Sequence, residues 1–551
     1  MAELTDAQRR EIERLRSEHP DYAGSKERWD FFLRAYEGGD DYVSSETLHK
    51  HQREHQDDYY DRLNRAVYAN YCQPLVDFVP EFIYSQGVNR KPPKALEQVF
   101  DNFKKNVDRA GTAMDAFMES VAEEARIFGH TWVGIDKLPK PENEGEISDA
   151  RAEELGIKIP YLYHVRPLEV LDWITDPFGN YIYLKRKDIY WEKVGARGRF
   201  RKLERYTEWE QETVTISRID ITEEGQEKLL PKKKMPNPWR LIPFVQFFYK
   251  RSKFKKDMGV SFLNDIAYQN NYVFNLTSLI GEFLNRQCFN ILAMEQDTKL
   301  PTRDRADGRV GTSNVMWVPK GTQKMPEYIT PPVDPAKFIQ SERSNAIKEM
   351  YRQAAQDIMA EVFAGGDVPS ADAQKQAFAR TIPMIAKMAD SMQYGEISLW
   401  TIWAQMQGKD WEGGSIAYRD DYSVTNVQDL LLQLSTIFTN LKVLSPTFIR
   451  EEWIRIINEF DGKIPPETMT KIKDEIAKMS DDEITGLYMM PADSKAIGGV
   501  PSTANLAQGA NQKGKSDRQI SLATGNRAST KEANPDANRR ASSGRSSKRQ
   551  S

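Results

Sequence analysis

The chain has only two cysteines, Cys72 and Cys288, far apart and outside any Cys-x-x-Cys pair. That excludes a disulfide framework and fits a reducing compartment. No stretch approaches 18 apolar residues, so no transmembrane helix is expected and no membrane partner. The opening residues, "MAELTDAQRREIERLRSEHP", contain no apolar core of the kind a secretory signal needs. No Gly-x-Ser-x-Gly elbow, Rossmann glycine pattern, catalytic Cys–His signature or fixed-period repeat is found. These absences point to a soluble intracellular protein, or to a component of something assembled inside a cell.

What is present is a long, polar-surfaced chain. Its 551 residues are 39% hydrophobic and 29% charged, enough for two to four domains at roughly 100–200 residues each. The net charge is −4, but its distribution is uneven. Residues 491–551 hold 11 Lys/Arg and 4 Asp/Glu, a net of +7, which leaves −11 on the rest. An acidic body ending in a basic tail meets nucleic acid only through local patches.

Residues 1–135 read mostly as helix. "SKERWDFFLRAYEGGDDYV" has an aromatic face and stops at Gly38-Gly39. Leu63, Val67 and Tyr71 share one side of a helix until Pro74 and Pro80 punctuate it. "AMDAFMESVAEEARIFGH" is amphipathic and ends at Gly129. Residues 131–250 turn aromatic and β-branched, with turn signals such as "DPFGN", and read as antiparallel sheet. A long helix follows over 258–290, with an apolar stripe and a polar "QNN" between its apolar positions. Residues 291–335 are short, strand-like and rich in turns. A second long helix opens at Asp334-Pro335, and "GGDVPS" separates it from a third that runs to about Gln407. "GSIAYRDDYSVT" reads as a strand pair, followed by helices near 426–441, 446–460 and 466–479. Residues 491–551 have almost nothing to bury and read as disordered. The fold class is α+β, mainly helical.

Several motifs tempt. "GANQKGKS", Gly509 to Ser516, satisfies the phosphate-loop pattern but lacks the strand and helix that make such a loop work. "HQREH", His51 to His55, matches an inverted zinc-peptidase motif, yet it sits in a strongly charged stretch read as a solvated helix. Acidic pairs such as Asp40-Asp41, Asp57-Asp58 and Asp420-Asp421 read as solvated turns or caps. No cofactor, metal site or catalytic residue is expected. "YKRSKFKKDMG" places Lys253, Lys255 and Lys256 just before the first long helix, as phosphate-facing candidates. Arg303, Arg305, Arg309, Lys320 and Lys324 lie in the insert between the first two long helices, where a partner would meet them.

The order of parts is the distinctive feature: body, long helix, small β insert, long helix, short loop, long helix, strands returning to the body, helical cluster, basic tail. "YANYCQPLVDFVPEFIYSQGV", "GVSFLNDIAYQNNYVFNLTSLIGEFLNRQCFNILAM" and "DPAKFIQSERSNAIKEMYRQAAQDIMAEVF" carry the likeness. Over roughly residues 20–490 the chain resembles the portal proteins of tailed bacteriophages. It departs from them at Ala371, where that family commonly has glycine.

The resemblance implies a non-enzymatic homo-oligomer, a dodecameric ring at one capsid vertex of a virion assembled in the host cytoplasm. Double-stranded DNA would pass through its channel during packaging and exit. The partners implied are the terminase large subunit, adaptor and head-completion proteins, and major capsid and scaffold proteins. It also implies a wing over 1–257, stem helices over 258–290 and 336–363, a clip over 291–335 and a tunnel loop over 364–370. The long helix and strands of 371–425 would return to the wing, and 426–490 would form a helical crown. Gly365, Gly366, Asp367, Val368, Pro369, Ser370 and Lys375 would then face DNA, with the glycines as hinge and Ser370 as helix N-cap. Two other readings compete: another virion or head-completion structural protein, and a nuclease or NTPase acting on nucleic acid. An enzyme of that kind calls for separated carboxylates on strand ends, which the sequence does not offer.

Overall fold

The computed structural model describes residues 4–85, 87–138, 157–193, 200–222, 225–288, 291–295, 315–318, 327–329, 334–355, 371–419, 445–458 and 466–481, with a few single positions between them. The chain divides into a body, residues 1–424, and a C-terminal unit, residues 425–551. Among the described residues no helix is long and apolar enough to cross a membrane.

The body is mixed helix and sheet. Helix α1 (Asp6–Arg16) starts with a reciprocal cap, in which Gln8 N–H donates to Thr5 Oγ1 and Thr5 N–H to Gln8 Oε1. After α2 (Pro20–Ala23), helix α3 (Lys26–Glu37) stops at Gly38, whose φ of 68° suits only a residue without a side chain. Helix α4 (Gln56–Arg65) ends where Ala66 turns extended, and α5 (Cys72–Ser85) follows after a break. The single helical face expected for Leu63, Val67 and Tyr71 is therefore not formed, and Val67 is 72% exposed. Pro74 and Pro80 lie inside α5 rather than ending a helix. "HQREH" is a turn ahead of α4, not part of a helix. Next come β1 (Asn89–Lys91), α6 (Glu97–Phe103) and α7 (Met114–Phe128).

Two antiparallel sheets fill the region expected to be sheet. In the first, β2 (His130–Asp136) lies between β3 (Tyr161–Val165) and β10 (Phe244–Phe248), with Trp132 opposite both Val165 and Gln246. The second is an up-and-down meander of β4 (Val170–Thr175), β5 (Tyr181–Lys193), β6 (Phe200–Glu210), β7 (Thr213–Ile221) and β8 (Glu227–Leu229), with β9 (Lys233–Pro236) also on β7. The "DPFGN" turn joins β4 to β5, where Asp176 Oδ1 accepts from Phe178 and Asn180 N–H groups at 2.8 Å. Helix α1 lies on this sheet and is pinned by Arg14 to Glu208 at 2.7 Å and Arg16 to Glu227 at 2.6 Å.

Helix α8 (Leu263–Cys288) leads into a three-stranded sheet of β11 (Ile291–Glu295), β12 (Val315–Val318) and β13 (Glu327–Ile329). The central β11 runs parallel to β12 and antiparallel to β13. Helix α9 (Asp334–Gln353) follows β13 and packs on α8. The end of α8 and the start of α9 both adjoin this sheet, so the two helices run antiparallel with the sheet at one end of the pair. Helix α10 (Ala371–Met406) spans 36 residues and runs through Pro383. Strand β14 (Ser415–Ala417) pairs with β1, and the second strand expected after it lies mostly outside the described residues.

Helix α10 is held on the body by aromatic packing and one buried charge cluster. Phe100 meets Trp400, Trp403 and Trp411 with ring centroids at 5.3, 5.6 and 5.3 Å. Glu396 is fully buried and takes a two-pronged contact from Arg90 at 2.6 and 2.7 Å. Tyr418 Oη–H and Trp400 Nε1–H also donate to that carboxylate, at 2.5 and 3.1 Å. The pair thus joins β1 to α10 with its acceptor oxygens occupied, the condition under which a buried ion pair is tolerable.

In the C-terminal unit, α11 (Pro446–Asn458) packs on α12 (Pro466–Lys478), and Arg450 reaches Asp481 at 2.7 Å. The helix expected near 426–441 and the tail 491–551 lie outside the described residues.

Candidate functional site at the root of the long helices

The place where α8 leaves the body is built mostly from main chain. A helix ends with carbonyls that have no partner inside it. At the end of α7 these are taken by the segment ahead of α8. Arg126 O accepts from Phe262 N–H at 2.9 Å, and Gly129 O from Tyr249 N–H at 3.0 Å. Ser261 Oγ donates to Ile127 O at 2.5 Å and accepts from Leu263 N–H at 2.9 Å, so this hydroxyl links the end of α7 to the start of α8. Gly129 is left-handed, at φ 93°. A Cβ added to Gly259 would stand 2.0 Å from Gly129 O, and one added to Gly129 would stand 2.6 Å from the Gly259 carbonyl carbon. Backbone presses on backbone here, and only glycine permits it.

Two polar side chains are buried against this joint. His130 Nδ1 accepts from Gly259 N–H at 3.1 Å. Burial holds its imidazole down to about 3, so it is neutral at physiological pH. Arg126 is also buried, with its guanidinium 3.9 Å from the Phe262 ring centroid and 5.3 Å from that of Tyr249. Nη2 donates to Leu75 O at 3.0 Å. Burial pulls the guanidinium down to about 10, still charged at neutral pH.

Further along α8, the polar "QNN" is not an open face. Asn271 Nδ2 donates to Tyr42 Oη at 2.9 Å and to Thr47 O at 3.0 Å. Asn275 Nδ2 donates to the same Thr47 O at 3.0 Å, and its Oδ1 accepts from His49 N–H at 2.9 Å. Asn270 is fully buried beside Tyr68. Arg62, itself buried, bridges Ser278 Oγ at 3.2 Å and Glu54 at 2.7 Å. The acid of "HQREH" is thereby committed to an arginine, and the motif's work is to fasten residues 42–62 to α8. Among the described residues, no group of three His, Cys, Asp or Glu side chains is placed to hold a metal ion. The two helices of the pair are tied by Arg343 Nε to Thr277 Oγ1 at 3.0 Å and by Tyr272 Oη to Glu342 Oε1 at 3.3 Å.

Of the residues singled out from sequence, Lys253, Lys255 and Lys256 come together on one tight loop at this root. Lys253 is exposed, Lys255 Nζ lies 3.1 Å from Asp21, and Lys256 Nζ donates to Asp176 O at 2.9 Å. Two of the three therefore brace the loop against the body. Arg303, Arg305, Arg309, Lys320 and Lys324 lie outside the described residues, as do Gly365, Gly366, Asp367, Val368, Pro369 and Ser370. Lys375 falls in α10, with its side chain outside the described set. Arg126 and Asn275 were not singled out by sequence, which read His130 as an isolated structural histidine and Asn271 as part of the polar "QNN". The signals for the joint were Gly129 as a helix stop and Gly-x-Ser before α8, but nothing in the sequence says that they touch.

No protein-family model and no curated protein matches the chain. Among solved structures, similar chains come from gene transfer agent particles. One is from the virion of the native particle, at 11% identity and TM-score 0.35, over 67% of this chain and 84% of that one. Another is from the neck of the empty particle with C6 symmetry, at 12% identity and TM-score 0.38, over 68% and 87%. A third is from the neck of the native particle with C12 symmetry, at 12% identity and TM-score 0.36, over 70% and 90%.

Proposed function

We propose that the chain is the subunit of a portal-type ring, a structural protein that conducts double-stranded DNA at one vertex of a virus-like particle and catalyses no reaction. The observation that carries this reading is the antiparallel pair α8–α9 with a small sheet at one end and a main-chain joint to the body at the root of α8. Such a pair is a strut. Its use is to hold the small sheet in a fixed relation to the body, where a partner can bind it. In this reading the sheet meets the terminase large subunit during packaging and adaptor or head-completion proteins afterwards. Residues 364–370 line the channel, major capsid and scaffold proteins surround the body, and twelve subunits close the ring.

A second observation agrees with it. The channel of such a ring must pass DNA without gripping it, and every phosphate neutralised adds salt-dependent affinity. A net of −11 outside the tail suits that duty. Negative-stain images and mass photometry of the purified protein test the reading, with closed rings around a central hole as the expected result. A monomer at every concentration, or metal-dependent cutting of DNA, would refute it.

A further inference from the structure

The loop bearing Lys253 also presents the most exposed large apolar side chain among the described residues. Phe254 is 101% exposed, at the tip of the turn between Arg251 and Gly259. The turn is firmly built. Ser252 Oγ accepts from both Phe254 and Lys255 N–H groups at 3.2 Å, Ser252 N–H donates to Met258 O at 2.9 Å, and Val260 N–H donates to Lys250 O at 2.8 Å. With Lys255 and Lys256 anchored to the body, little order remains to be lost on docking. Lys250, Arg251 and Lys253 flank Phe254 in the chain and are exposed, with the Arg251 guanidinium over the Phe248 ring at 3.8 Å. A rigid aromatic flanked by cations is the kind of anchor that dominates a protein interface.

A complementary hollow lies on the other side of α3. Ser25, Arg28, Trp29 and Phe32 face the Phe254 loop. Glu27, Asp30, Phe31 and Arg34 line a separate, open hollow of about 710 Å³ together with Tyr22, Glu46 and Leu168. At about 100° per residue, Trp29 and Phe31, Arg28 and Asp30, and Phe32 and Arg34 each point about 200° apart, on opposite faces of the helix. The cavity has an apolar floor of Tyr22, Phe31 and Leu168, and its size is within the range of about 300–1,000 Å³ that accepts a drug-sized group. Its cations are already engaged: Lys26 with Glu18 at 2.8 Å, and Arg34 with Asp30 and Glu46 at 2.9 and 3.1 Å. Glu27 is exposed at the rim.

We infer that Phe254 of one copy of this chain seats in the α3 cavity of the next, with Lys253 against Glu27. Knob and hollow are different surfaces on opposite sides of one helix, so every copy offers both. A contact of this kind is head-to-tail and repeats until the rotation closes a ring. The inference rests on the ring reading and names one contact within it.

Phe254→Ala and Glu27→Lys test it on the full chain, by mass photometry and negative-stain imaging over a concentration series. Both residues are exposed, so thermal melting is expected to stay at the wild-type value. Each substitution is expected to raise the concentration at which half the protein is assembled, by at least about tenfold for Phe254→Ala. Lys253→Glu combined with Glu27→Lys in one chain is expected to recover part of that loss. Mixing Phe254→Ala with Glu27→Lys chains leaves one sound contact per pair, so dimers should form without rings. Rings from Phe254→Ala at wild-type concentrations would overturn the contact while leaving the ring reading intact. A wild-type protein that never assembles would overturn both.

Discussion

Replacing Gly259 with alanine tests the main-chain joint most directly. The new Cβ would lie 2.0 Å from Gly129 O, 2.3 Å from the Gly129 carbonyl carbon and 2.9 Å from His130 N. Ordinary contact begins near about 3.5 Å, so the two segments must part by more than about 1 Å. All three atoms belong to the backbone, and no side chain can rotate aside. Parting breaks the Gly259 N–H to His130 Nδ1 bond of 3.1 Å and the Tyr249 N–H to Gly129 O bond of 3.0 Å. Each buried group left unsatisfied costs about 1–3 kcal/mol, and overpacking adds about 1–3 kcal/mol. For the two bonds and the overpacking together the sum is about 3–9 kcal/mol, a large part of the stability of an ordinary domain. The assay is urea unfolding followed by tryptophan fluorescence, with Gly281→Ala as control. Gly281 lies in α8 with nothing within 4 Å of an added Cβ, so alanine there should be neutral or stabilise by up to about 1 kcal/mol. If Gly259→Ala unfolds within about 1 kcal/mol of wild type, the joint is not the close backbone contact described.

Two further outcomes follow from buried charge. His130 is held at about 3 in the fold against about 6.5 when free, so its contribution is present above about 6.5 and is lost as pH falls toward 3. Between pH 7 and pH 5 that loss is about 2 kcal/mol, and His130→Asn, which keeps an acceptor for Gly259, should shrink the wild-type loss by that amount in paired urea titrations. A wild-type pH dependence unchanged by the substitution would show that the imidazole is not shielded. Glu396→Ala removes the buried partner of the Arg90 guanidinium, 6% exposed, and leaves it paired with the half-exposed Asp115, so the cost should be about 3 kcal/mol, the low end for a broken buried pair. Arg90→Met with Glu396→Leu should be milder than the single change, and thermal melting of the three variants decides it.

The sequence read well where structure is set by neighbours. The stop of α3 at Gly38 and of α7 at Gly129, the opening of α9 at Asp334-Pro335, the span of α10 and the "DPFGN" turn all follow from local chemistry, whereas α9 gives way to a turn after Gln353, short of the expected 363. It read badly where a distant backbone decides. Asn271 and Asn275 look like solvent-facing positions until Thr47 O is supplied as their acceptor, more than two hundred residues earlier in the chain. Leu63, Val67 and Tyr71 have helical spacing, but the break at Ala66 ends α4 before that spacing can act. Strand β14 finds its partner in β1, a pairing that no local pattern announces. The candidate site divides in the same way. The lysine run was visible as a loop of charge, whereas the bracing roles of Lys255 and Lys256 depend on Asp21 and Asp176 from other elements. The joint itself was half visible, as two glycines with no hint that they meet.

The Gly129–Gly259 contact also bears on how relatives of this chain could be found. A joint of backbone atoms leaves the neighbouring side chains free to drift, apart from His130 and Ser261, which bond into it. What cannot drift is the absence of a Cβ at two positions far apart in sequence, one closing a helix before a strand and the other two residues ahead of a serine that leads into a long helix. Two such glycines are invisible to any search for a contiguous motif. As a paired pattern, they would be a usable fingerprint even after overall identity has eroded.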